Sequence, residues 1–206
     1  MSELAREDFV RRGIRLSYAT MGYNTFEAIA SLIAGLFAGS VALIGFGIDS
    51  VIEVTASAAA QWRLRSDLDA SRRSRSENMI HRFVGVCFLA LAAYVAVDSA
   101  KTLWFREQSD RTIAGIVILS LSVLVMPLLA RAKLNVASAM HSGALRAEAR
   151  QTSLCAYLSI IALVGVLLNA TLGWWWADPV AALCMVPIIM SEGIDGLRAK
   201  PCEDCC

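Results

Sequence analysis

The chain has 206 residues, 57% of them hydrophobic, a positive mean hydropathy and a formal net charge of +1. Such a composition, with the charges clumped rather than spread, excludes an ordinary soluble domain and implies a polytopic membrane protein. Near-neutral charge also excludes a global basic field for nucleic acid, so the Lys and Arg clusters carry meaning only through their positions.

From the start of the chain, Ser2 to Arg15 is polar and charged and lacks the apolar stretch and small-residue cleavage site of a signal peptide. Residues 1–15 therefore read as an N-terminal segment, and the first span is expected to stay in the mature protein. A bilayer core takes about 20 apolar residues per helix. Six segments of that kind follow, at residues 16–38, 41–63, 79–103, 112–132, 146–170 and 176–196. Backbone satisfaction in lipid favours helices over any open sheet, so the predicted fold is all-α: six transmembrane helices in a bundle over residues 16–196, with a short Cys-rich tail at 197–206. No soluble C-terminal domain is expected.

Only Gly39-Ser40 separates the first two segments, which forces an antiparallel hairpin. The segment from Leu64 to Asn78 reads as a loop carrying Arg65, Arg72, Arg73 and Arg75, whereas the loop between the third and fourth spans holds only Arg106 and Arg111 beside Lys101. The positive-inside rule puts residues 64–78 in the cytoplasm. The N-terminal arginines, a fourth-to-fifth loop with Arg131, Lys133, Arg146 and Arg150, and the tail with Arg198 and Lys200 fall on the same side, so both termini are expected to be cytoplasmic. Trp174-Trp175-Trp176 then lies at the opposite face, where tryptophans anchor helices at headgroup level.

Against this apolar background a few polar residues stand out. Asp49 and Glu53 are one helical turn apart and point from one face. Each ionised carboxylate at a helix centre costs about 2.5–3.5 kcal/mol, so the pair calls for a cation or a proton. A salt bridge to another helix is the ordinary alternative, but no Lys or Arg is expected near the centre of any span. In the fifth segment Glu148, Gln151 and Cys155 form a second stripe at offsets of three and four. Gln151 and Cys155 offer a carbonyl oxygen and a potential thiolate, and with Asp49 and Glu53 they make a mixed oxygen and sulfur shell suited to zinc and its borderline-soft neighbours. Asn24 and Glu27 form a further pair in the first segment, with an accessory role open between metal binding and protonated hydrogen bonding.

The remaining candidates carry less. Cys87 and Cys184 read as small packing residues, Asp98 as water-accessible near a helix end, and His81 and His141 as solvated residues at the cytoplasmic edge. Cys202, Cys205 and Cys206 make a terminal CxxC with a third thiol, either a disordered tail or a labile metal-capture tag. Six cysteines so placed are no secreted disulfide framework.

The order of motifs resembles a known family. Gly35-Leu36-Phe37-Ala38-Gly39-Ser40-Val41-Ala42-Leu43 resembles the first interhelical turn of the cation diffusion facilitator (cation efflux) family, and Asp49-Ser50-Val51-Ile52-Glu53 resembles its second-helix DxxxD motif. Arg75-Ser76-Glu77, Leu145-Arg146-Ala147-Glu148-Ala149 and Ala177-Asp178-Pro179-Val180-Ala181-Ala182 are similar to its third-, fifth- and sixth-helix starts. The resemblance implies a homodimeric exporter of zinc or a related divalent ion in exchange for protons, with the ion held between the second and fifth helices. It places Asp49 and Glu53 at the second-helix ligand positions, and Gln151 and Cys155 where the family usually has His and Asp. The expected location is a bacterial plasma membrane. A membrane metal-binding subunit or sensor without turnover is the alternative. An intramembrane enzyme would need a nucleophile or substrate pocket that the chain does not display.

Overall fold

The computed structural model describes residues 3–65, 70–140 and 143–198, and these form six α-helices. They are α1 (Glu3–Ala38), α2 (Val41–Arg65), α3 (Ala70–Phe105), α4 (Ile113–Met140), α5 (Gly143–Leu172) and α6 (Ala177–Arg198). No strand occurs among the described residues. At the end of the bundle bearing the α1–α2 turn, the helix limits match the apolar segments closely. The opposite end differs. There α1 starts at Glu3, α2 runs on to Arg65, α3 begins already at Ala70 and α4 runs on to Met140, so residues 64, 65 and 70–78 of the expected loop are helical and Lys133 lies in a helix. Bilayer thickness limits the apolar run, but Ala, Arg, Ser and Glu continue a helix well beyond it.

Five helices contain stretches long and apolar enough to cross a membrane, at Val41–Ala58, Arg82–Phe105, Ile113–Ala139, Glu148–Leu172 and Ala177–Arg198. The protein is an integral membrane protein. The first helix, expected to be a sixth span of the same kind, falls outside this set, and its polar residues gather on the inner side. Ser17, Thr20, Asn24, Glu27 and Ser31 are buried at steps of three and four, while Ile14, Phe26, Ile29, Ile33 and Phe37 face outward. This polar stripe lies on a helix that packs against α2 and α4.

The α1–α2 hairpin turns on Gly39, whose φ of 62° lies in the left-handed region that favours glycine. Ser40 then caps α2, its Oγ accepting from the Leu43 amide at 3.2 Å. The same hydroxyl donates to Asp178 Oδ1 at 2.6 Å, and the Val41 amide donates to Oδ2 at 2.9 Å. A buried carboxylate in the first turn of α6 thus satisfies the positive end of α2 and fastens the two helices together. Nearby, Asn169 Nδ2 donates to Ser109 O and Oγ, both at 3.0 Å, so the asparagine ties the α3–α4 connection to α5. Trp174 and Trp176 stack with centroids 5.1 Å apart.

The main hydrophobic cluster joins Leu43 and Phe46 of α2, Val95 of α3, Leu119 and Met126 of α4, Leu158 and Ala162 of α5, and Met185 of α6. Without a hydrophobic driving force between helices in lipid, close packing of small residues does much of the joining. Where α3 meets α6, a Cβ on Gly85 would lie 2.8 Å from both Gly193 O and Leu197 N. Those are backbone atoms and cannot swing aside. Gly85→Ala should therefore lower thermal stability in detergent by about 1–3 kcal/mol, read as a drop in melting temperature relative to wild type.

Candidate metal centre

Asp49 and Glu53 lie in the apolar stretch of α2, and the helix turns both inward, leaving them 3% and 4% exposed. Opposite them α5 presents Cys155, fully buried. One carboxylate oxygen from each acid and the Cys155 sulfur lie within 4.8 Å of one another. At that separation two ionised carboxylates repel by about 3 kcal/mol or more at an effective dielectric constant of about 20. The arrangement suits a shared cation, whose charge would offset the repulsion.

Helix α1 supplies the surrounding shell through its polar stripe. Asn24 Nδ2 donates to Glu53 Oε2 at 2.6 Å, fixing that carboxylate. Glu27, fully buried, accepts from Ser50 Oγ at 3.0 Å, and the Cys155 thiol approaches the same oxygen, Oε2, at 3.8 Å. Its other oxygen and Asn24 Oδ1 have no hydrogen-bond partner. Buried acceptors of this kind call for a proton, a water or a cation nearby.

The other expected residues are placed as follows. Gln151 is half-buried and lines the same cleft as Asp49, Glu53 and Cys155. Glu148 stands apart from the centre: Lys133 Nζ lies 3.3 Å from its Oε2, and Ser17 Oγ donates to that oxygen at 2.7 Å. This corrects the expectation that every Lys and Arg stays at helix ends or in loops, because Lys133 is buried within α4. Asp98 is half-buried and accepts from Tyr94 at 3.4 Å. Cys202, Cys205, Cys206, His141 and the side chain of His81 lie outside the described residues.

Two residues escaped the sequence reading. Lys133 was obscured because a charge just after an apolar run resembles the start of a loop. The apolar residues that follow it, Leu134, Val136, Ala137 and Ala139, were the signal that the helix continues. Glu192 of α6 shares the cleft with Asp49, Glu53 and Cys155. An acid inside the expected sixth span was its signal.

Chemically, two carboxylates and a thiol can hold a borderline divalent ion once the sulfur loses its proton. No curated protein matches the chain. Residues 18–199 match the cation efflux transmembrane domain, a family of transporters rather than enzymes, and the chain belongs to the cation efflux family.

Proposed function

We propose that this protein exports a zinc-like divalent cation in exchange for protons, binding it between α2 and α5. The observation that carries this reading is the convergence of Asp49, Glu53 and Cys155 at mid-bundle in a cation efflux chain. Asp49 and Glu53 supply the carboxylates, Cys155 the sulfur, and Gln151 an amide oxygen from the same cleft. Asn24 orients Glu53, and Glu27 receives the thiol hydrogen bond that must be given up when sulfur binds metal. The basic end of the bundle, with both termini, faces the cytoplasm of a bacterial plasma membrane, following the positive-inside rule. Two copies form a homodimer through the membrane helices.

Outward movement of a dication against an inside-negative potential costs about 4.6 kcal/mol per 100 mV before any concentration gradient. Diffusion alone would carry it inward. Protons compete with metal for the same lone pairs, so protonation from the outer side expels the ion and deprotonation toward the cytoplasm restores the acids. In proteoliposomes, zinc flux should follow an imposed pH gradient and fall to the protein-free rate when a protonophore collapses it. Flux that ignores the gradient would refute the antiport, and zinc binding without any flux would favour the binding subunit instead.

A further inference from the structure

Among the described residues, Lys133 is the one buried cation, and it borders the acidic centre without belonging to it. Its ammonium lies 3.3 Å from Glu148 Oε2 and donates to Thr152 Oγ1 at 3.3 Å. The cleft that holds this group continues to the metal centre, since Lys133, Glu148, Gln151 and Thr152 line it together with Asn24 and Glu53. A buried ion pair is weak grounds for stability, because desolvating two charges can cost more than their attraction returns. Its retention beside a cluster of acids points to electrostatics. Lysine suits the task, being a compact charge on a flexible four-carbon stem.

We propose that Lys133 is a tethered counter-cation of the metal centre. While the centre holds no ion, the ammonium offsets part of the charge on Glu53 and Asp49 through the shared cleft. When a divalent ion binds, the same charge opposes it and so limits affinity, which aids release. Glu148 pairs with the ammonium inside the cleft that Glu53 also lines and thereby sets how strongly it acts. Lys133 and Glu148 are positioning residues here, since neither touches the ion.

This inference rests on the reading of Asp49, Glu53 and Cys155 as a cation site, and its test separates the two. The full chain, purified in detergent, is titrated with Zn²⁺ by calorimetry as wild type, Lys133→Met and Glu148→Gln, with melting temperatures recorded alongside. Loss of the positive charge should tighten zinc binding by about tenfold or more, whereas loss of the negative charge, which frees the ammonium toward Glu53, should weaken it by a similar factor. Opposite signs identify a charge effect. A purely structural pair would weaken binding in both variants or change it in neither, and either result overturns the counter-cation. Lys133→Gln, which keeps a donor for Thr152 and Glu148, repeats the test if the methionine variant does not fold. If wild type itself shows no zinc affinity, the site reading falls and this inference falls with it.

Discussion

Replacing Asp49 by Asn and Glu53 by Gln in one chain should abolish zinc flux and raise thermal stability together. Both effects have one cause. The two carboxylates are 3% and 4% exposed with oxygens within 4.8 Å of each other and of the Cys155 sulfur. Two ionised acids at the centre of a membrane helix cost roughly 5–7 kcal/mol in insertion free energy, and only a bound cation or protons relieve that cost. The amides preserve shape and remove the charge. Asn24 Nδ2, 2.6 Å from Glu53 Oε2, can still donate to a glutamine carbonyl, so the packing of α1 on α2 is retained. What disappears is the electrostatic attraction for a dication and the sites where protons compete with it. Melting temperature without metal should rise by about 2–4 °C for each kcal/mol relieved, while pH-driven flux falls to the protein-free rate. Undiminished flux would sink the assignment of these two residues. A fall in both flux and stability would instead mark them as structural.

The readable and unreadable parts of this chain divide along physical lines. Asp49 and Glu53 were legible because an apolar run makes a carboxylate conspicuous and helical spacing fixes which residues share a face. The Gly39-Ser40 hairpin was legible because two residues leave the chain no other course. Helix limits at the basic end were not, since hydropathy reports where lipid stops and says nothing about where a helix stops. The same blind spot hid Lys133, whose place in the protein interior depends on Glu148, a partner on the next helix. In α1 the polar stripe was visible as Asn24 and Glu27, but only the folded bundle shows Glu27 reaching both Ser50 of α2 and Cys155 of α5. Spacing also put Gln151 on the stripe of Cys155, and both line the cleft with Asp49 and Glu53.

The identity of the α5 donor should decide which ions the protein prefers, and Cys155→Ser is the sharpest measure of it. The serine hydroxyl occupies nearly the same place but is a hard, neutral oxygen, whereas a thiolate is soft and charged. Loss of interactions one step removed from a metal already costs about 10–100-fold in affinity, so loss of a directly bound sulfur should cost at least that for Zn²⁺ and Cd²⁺. For Mn²⁺, which is satisfied by oxygen donors, the change should be much smaller. The variant should therefore compress the spread of affinities across a metal panel rather than lower them all equally. Packing arguments predict a different pattern, because Cys155 is fully buried and a serine there changes volume only slightly. If sulfur serves only to fill space, every ion should bind the variant as it binds wild type, and Cys155 would leave the proposed shell. Glu27 bears on the comparison as well: its Oε2 lies 3.8 Å from the sulfur, beyond the reach of a serine hydroxyl on its shorter C–O bond. Loss of that weak contact acts on every ion alike, so the spread across the metal panel reads the donor atom itself.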